Sequence, residues 1–213
     1  MEIPIPDRHA AGQALAGSLQ HYAGRDDVIV LALPRGGVPV AAEIARALDA
    51  PLDVMLVRKL GLPGHPELAM GAIASGGVRV MNDNVVRQSM VSPDAIEAVV
   101  EMESRELEHR ERTYRGDRPW PDLKGRCVIL VDDGLATGAT MRAAIDAMKA
   151  QQPGCIVVAV PVAPPDTVRD LEPLVDEVVC PVQPESFMAI GQWYVDFHQI
   201  SDAEVLALLE ELG

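Results

Sequence analysis

Aliphatic runs and helix-spaced segments alternate along most of this chain. Val28 to Leu33 (VIVLAL) is a continuous apolar run, interrupted at once by PRGG. From Val38 to Ala50 the apolar positions Val40, Ala41, Ile44, Ala45 and Leu48 recur at helical spacing, which predicts a helix with one buried face. Leu52 to Val57 reads as a second strand, Arg126 to Val131 as a later one and Cys155 to Val162 as the next. The helix-like segment Thr140 to Ala150 separates the last two, and PPDTVRDLEPL with VDEVVCPV supplies one more helix and strand. Continuous apolar strands joined by helices cover both faces of a parallel sheet. The pattern predicts an α/β fold with a doubly wound parallel sheet.

Two regions break the rhythm. Residues 58–84 are rich in Gly and Pro, with two short candidate strands around GAIA and VRVM, and predict a long loop or hairpin. SPDAIEAVVEMESRELEHRERTY then predicts a long charged helix, residues 92–114, with Ser92 as N-cap and Pro93 as first helical residue. Its charges read as a solvated face. No internal repeat is present. The chain reads as a single domain over 1–213, with a small C-terminal hood over about 183–213 to which the N-terminal segment contributes.

Charge narrows the partners. Eighteen basic residues stand against 32 acids, a formal net charge of −14, which argues against nucleic acid, since phosphate backbones are bound by clustered Lys and Arg. No apolar run approaches the roughly 20 residues of a membrane helix. The segment MEIPIPDRHA has no basic region leading into an apolar stretch, so no signal peptide is expected. Cys127, Cys155 and Cys180 are far apart, lack zinc-type spacing and are odd in number. They read as buried reduced thiols of a cytoplasmic protein.

The informative stretch is VILVDDGLATGAT, Val128 to Thr140. A buried strand has no use for two carboxylates at its carboxyl end, which is where open parallel sheets bind ligands. Asp132 and Asp133 can accept hydrogen bonds from vicinal hydroxyls. The loop that follows runs into a helix, whose N-terminus suits a phosphate. Gly134 and Gly138 let the backbone wrap closely, while Thr137 and Thr140 add hydroxyl donors. A sugar phosphate satisfies both halves. A P-loop is excluded because ATGATM has no lysine, and the dinucleotide fingerprint because LPRGGVP lacks G-x-G-x-x-G.

The stretch resembles the ribose-5-phosphate signature of type I phosphoribosyltransferases: four aliphatic residues, two acids, then a Thr/Gly loop. Its one departure is Ala136, where Thr or Ser is common. That change removes at most one hydroxyl contact, about 1 kcal/mol. The resemblance implies ribose-phosphate contacts from Asp132, Asp133, Gly134, Ala136, Thr137, Gly138, Ala139 and Thr140. LPRGG resembles the family's pyrophosphate loop and implies contacts from Arg35, Gly36 and Gly37. VRKLGLPGHPE resembles the start of its mobile catalytic loop, with Arg58 and Lys59 facing the leaving group. LPRGGVPVA, RKLGLPGHPELAMGAI and GQWYVDFHQ together resemble a group of predicted stand-alone bacterial phosphoribosyltransferases across nearly the whole chain.

The implied reaction transfers ribose 5-phosphate from phosphoribosyl pyrophosphate to a nitrogenous base or amine, with Mg²⁺ on the leaving pyrophosphate and no protein nucleophile. Phe187, Trp193, Tyr194 and Phe197 concentrate in FMAIGQWYVDF, in the family's variable hood. Phe187 and Trp193 are candidates for the acceptor and Asp196 for the metal, though their spacing departs from the purine-salvage pattern, and a small core or dimer contact explains the rings equally well. Phosphoribosyl pyrophosphate and a small-molecule acceptor are the expected partners, with a homo-oligomer left open. The alternative is a non-catalytic sensor or regulator that keeps the sugar-phosphate pocket. The absence of basic clustering counts against a nucleic-acid regulator, and the presence of Arg35, Arg58 and Lys59 favours an enzyme.

Overall fold

The structure, a computed structural model, describes every residue except Glu2. In chain order the elements are α1 (Arg8–Ser18), β1 (Val28–Ala32), α2 (Gly37–Leu48), β2 (Leu52–Val54), β3 (Val57–Leu62), β4 (His65–Ala74), β5 (Val78–Met81), α3 (Asp83–Ser89), α4 (Pro93–Arg115), β6 (Cys127–Val131), α5 (Ala139–Ala150), β7 (Cys155–Ala159), α6 (Pro165–Leu171), β8 (Glu177–Val179) and α7 (Asp202–Leu212). They form two compact units, one of Met1–Met55, Leu123–Gly138 and Gln152–Gly213, the other of Leu56–Asp122 and Ala139–Gln151.

The first unit holds a parallel sheet in the order β2-β1-β6-β7-β8. Every residue of β1 and β6 is buried, so these strands show no in–out alternation, as expected of a sheet covered on both faces. The chain leaves β1 for β2 on one side and β6 for β7 on the other. The crevice outside the carboxyl ends of β1 and β6 is therefore the topological switch point, where such sheets bind ligands. β2 stops at Val54, short of the expected Val57, which instead pairs antiparallel with Ala74 in the other unit. An apolar run cannot reveal that its two ends belong to different sheets.

Helix α1 goes beyond the elements expected from the apolar pattern. The Asp7 side chain caps it by accepting from the Ala10 N–H at 2.8 Å, and Ala11, Leu15 and Ala16 form its buried face. Residues just before it pair with the hood: Ile5 donates its N–H to the Trp193 carbonyl and accepts from Val195, both at 2.8 Å. At the other end, Ser201 and Glu204 form a reciprocal capping box that starts α7.

The expectation of three reduced thiols is corrected here. Cys127 and Cys155 are register partners on adjacent strands, 4.5 Å apart at Cα, and are joined as a disulfide. Strand pairing brings together positions that look remote along the chain. Cys180 stays a free buried thiol, with burial pushing its pKa up to about 12.

The second unit contains a three-stranded antiparallel sheet, β3-β4-β5. The segment expected as a long loop or hairpin takes the hairpin form, with GAIA in β4 and VRVM as β5, and β3 adds a third strand. Its glycines serve close approach: a Cβ at Gly71 would run into the Val80 carbonyl oxygen. Helix α3 follows, capped by the Asn82 side chain. The long charged helix α4 begins at Pro93, with the Ser92 side chain accepting from the Ala95 N–H. Ile96, Leu107 and Tyr114 are its buried apolar positions. Among the described residues no helix is long and apolar enough to cross a membrane.

Candidate functional site

Two loops meet at the switch point of the first unit. The one after β1 is anchored by the Leu33 N–H, which donates to the Val131 carbonyl at 2.9 Å. The peptide bond between Pro34 and Arg35 is cis. A Cβ at Gly36 would overlap Asp133 Oδ2, and one at Gly37 would lie 2.6 Å from the Val131 carbonyl oxygen. Only glycine lets this loop press so closely on the end of β6. The Gly37 N–H is spent on the Leu33 carbonyl. Arg35 is partly exposed and stands 3.6 Å from Asp202.

The two aspartates differ in environment. Asp132 is half-buried, and its Oδ1 accepts from the Asp133 N–H at 2.8 Å. Asp133 is buried, and its Oδ2 receives both the Nε and an Nη of Arg8 at 2.8 Å. Arg8 also donates to the His198 carbonyl at 2.8 Å and lies 4.0 Å from the centre of the Phe197 ring. The Tyr194 hydroxyl donates to the Asp133 carbonyl at 2.6 Å. Burial pushes the Asp132 carboxyl well above its ordinary range, and the neighbouring Asp133 charge adds to the rise. Burial also raises Asp133, but the Arg8 guanidinium opposes it. Asp133 is thus tied to Arg8, and Asp132 is the more exposed of the two carboxylates.

Sequence reasoning misses Arg8 because no motif contains it. The available signal is Asp7 before a helical repeat at Ala11, Leu15 and Ala16, which marks a capped helix but not its target. Tyr194 stands out in the sequence only as part of the aromatic cluster.

The loop after Asp133 is held from behind. The Leu135 N–H donates to the Val162 carbonyl at 2.9 Å, and the Thr167 hydroxyl to the Ala136 carbonyl at 2.7 Å. Gly138 has φ +72°, a backbone that other residues rarely adopt. Ala136 and Thr137 are exposed, and the loop runs directly into α5, which opens with Ala139 and Thr140. Exposed loop backbone leading into a helix N-terminus is what an anion needs.

In the hood, Phe187 and Trp193 are half-buried and stacked, with ring centres 6.4 Å apart. The Trp193 Nε1 is buried without a hydrogen-bond partner among the described residues. Asp196 is exposed and its Oδ1 meets the N–H and Nδ1 of His198, both at 3.1 Å. His198 also reaches Glu204 at 3.2 Å, and these two acids hold its pKa up.

Arg58 and Lys59, expected to act together, point apart. They are consecutive residues of β3 and so occupy opposite faces. Arg58 pairs with Glu103 of α4 at 2.7 Å, whereas Lys59 lines a cavity within the second unit. Among the described residues no group of three or more His, Cys, Asp or Glu is arranged to hold a metal ion.

Residues 5–198 match the phosphoribosyl transferase domain family. The chain belongs to that family. Two curated relatives of this phosphoribosyl transferase domain come from Mycobacterium tuberculosis: "Putative phosphoribosyl transferase MT0597" (strain CDC 1551 / Oshkosh) and "Putative phosphoribosyl transferase Rv0571c" (strain ATCC 25618 / H37Rv). Each is 48% identical over 204 residues, covering 96% of this chain. The chain spans just under half of their length, 46%. Among solved structures, TT1426 from Thermus thermophilus is 43% identical and superposes with a TM-score of 0.87, over 98% of each chain. The acid pair and both loops lie inside the matched span of the phosphoribosyl transferase domain.

Proposed function

We propose that this chain transfers ribose 5-phosphate from phosphoribosyl pyrophosphate to a nitrogenous base or amine, releasing pyrophosphate. The observation that carries the reading is the meeting of two glycine loops over an aspartate pair at the switch point between β1 and β6. In this reading the 134–138 backbone, Thr137, Ala139 and Thr140 take the 5-phosphate, aided by the α5 dipole. Asp132 accepts a ribose hydroxyl. With Asp133 behind it, it favours the positive charge that grows on the ribose as the bond to pyrophosphate breaks. Arg35 and the Gly36 N–H take the leaving pyrophosphate. Phe187 and Trp193 offer ring faces to the acceptor. Arg58, paired with Glu103, and Lys59, on the opposite face of β3, are not both presented to one ligand, so the reading rests on the two loops and the aspartate pair.

Mg²⁺ fits this chain in a substrate-borne manner. Such ions are held by one or two carboxylates together with substrate phosphates, and half-buried Asp132 stands where the sugar would lie. The ion supplies charge neutralisation for the departing pyrophosphate. Asp196, whose Oδ1 is occupied by His198, is the weaker candidate.

The test is a pyrophosphate-release screen with phosphoribosyl pyrophosphate, Mg²⁺ and a panel of bases and amines. Base-dependent release is expected. Ligand at a hundredfold excess over Kd should add about 2.7 kcal/mol, or about 5–11 °C of melting temperature for a chain this size. A melting shift without release from any acceptor would make the chain a sensor, and neither response would refute the reading.

A further inference from the structure

Several cations of the second unit are matched by acids. Arg58, Arg79, Arg105 and Arg110 each pair with a glutamate: Glu103, Glu97, Glu101 and Glu106. Lys59 and Arg87 meet neutral oxygens instead, as Arg115 does at the Pro119 carbonyl. Lys59 reaches the Glu67 carbonyl oxygen at 3.2 Å, and Arg87 donates to the side-chain amide oxygen of Asn84 at 2.8 Å. Both line one cavity of about 990 Å³, and Arg142 of α5 is a third cation on its wall. Asp83 and Asp146 also border it, so its lining charge is +3 against −2.

The shape adds to the charge. Lys59, Ala72 and Val80 form one row across the three strands, and Val57, Ala72 and Val80 give the sheet side of the cavity an apolar floor beside Lys59. An apolar floor walled by cations and amides suits a base carrying phosphates, and the volume is that of a small-molecule pocket rather than a seat for one simple anion. Ala139 and Thr140 of α5 stand on the rim.

We propose that this cavity is a nucleotide site of its own, with phosphates on Lys59 and Arg87 and the base over the Ala72–Val80 floor. The site stands on these residues alone and does not require the transferase reading. The test is calorimetric titration of ATP into the Asp132→Asn chain, which lacks the proposed ribose contact. One ATP per chain is expected, weakened at least tenfold by adding Arg87→Glu and partly restored by Arg87→Lys. Arg87 is exposed, so the variants should fold, and their melting temperatures check this. In the otherwise natural chain, Arg87→Glu should leave the melting shift with phosphoribosyl pyrophosphate unchanged. Absence of ATP binding at millimolar concentration, or binding indifferent to Arg87, overturns the proposal. So does joint loss of ATP and phosphoribosyl pyrophosphate binding in Arg87→Glu, which would merge the cavity with the sugar-phosphate site. If only phosphoribosyl pyrophosphate fails to bind the natural chain, the transferase reading falls and the nucleotide site remains.

Discussion

Arg8 and Asp133, 125 positions apart, meet in the interior of the first unit, with two guanidinium nitrogens 2.8 Å from one carboxylate oxygen. The contact ties the first turn of α1 to the end of β6, directly beneath the proposed sugar site. Removing one partner of a buried ion pair leaves an uncompensated charge and costs about 3–5 kcal/mol. Arg8→Met is therefore expected to lower the melting temperature by about 6–20 °C. Adding Asp133→Asn should recover part of that loss, because the stranded charge goes with it. Thermal unfolding of the single and double variants measures the coupling, and additive losses would show that the pair is not what holds these elements.

Asp132 sets function against stability. Its folded pKa is raised by burial and by Asp133, so the charged form is penalised in the fold. As pH falls from neutrality, the folded chain takes up this proton before the unfolded chain does. The contribution of Asp132 therefore becomes more favourable until the unfolded carboxylate also protonates, near pH 3.9. Asp132→Asn should stabilise the chain at pH 7 by about 0.5–2 kcal/mol. Its advantage over the parent should shrink as the pH approaches about 4. The same variant should lose most of its affinity for phosphoribosyl pyrophosphate. Denaturant unfolding across pH, with calorimetry at pH 7, reads both effects.

Gly36 tests how closely the two loops must pack. An added Cβ would overlap Asp133 Oδ2, inside the atoms of a buried carboxylate already held by Arg8. Gly36→Ala should cost about 1–3 kcal/mol through overpacking, read as a lower urea midpoint with an unchanged slope. Gly17 is the control, since an added Cβ there would meet nothing within 4 Å. Gly17→Ala, inside α1, should be neutral or stabilising.

The stacked rings of the hood separate binding from packing. If Phe187 offers its face to the acceptor, Phe187→Ala should weaken acceptor recognition by about 1–3 kcal/mol and spare phosphoribosyl pyrophosphate binding. The Trp193 Nε1 already lacks a partner among the described residues, so Trp193→Phe should barely change the melting temperature. A loss of about 3–5 kcal/mol of stability in Phe187→Ala, whatever ligand is present, would give the ring to the core instead. Melting curves and steady-state kinetics on the two variants decide between these outcomes.

Much of this protein is legible in its sequence because the relevant signals are local. Continuous apolar runs such as Val28–Ala32 and Cys127–Val131 identify strands buried on both faces, whatever the rest of the chain does. Ser92 followed by Pro93 marks the start of α4 through the bonding of a single turn. Asp132, Asp133, Gly138 and Thr140 form a chemical pattern within one loop, so the ligand class can be argued before any packing is known.

What only the tertiary structure decided depends on pairing across distance. Nothing near Arg8 in sequence names Asp133 as its partner, and without that contact the two aspartates look equivalent. The strand register that joins Cys127 to Cys155 is a property of the sheet, not of either segment. Glycines in 58–84 read as breakers because sequence records a missing side chain but not the backbone that fills its place, as the Val80 carbonyl does beside Gly71. Arg58 and Lys59 look like one basic pair until the strand sends them to opposite faces, one to Glu103 and the other to a cavity. Residue type and period fix what a segment can become, and long-range contacts fix which of its groups remain free to act.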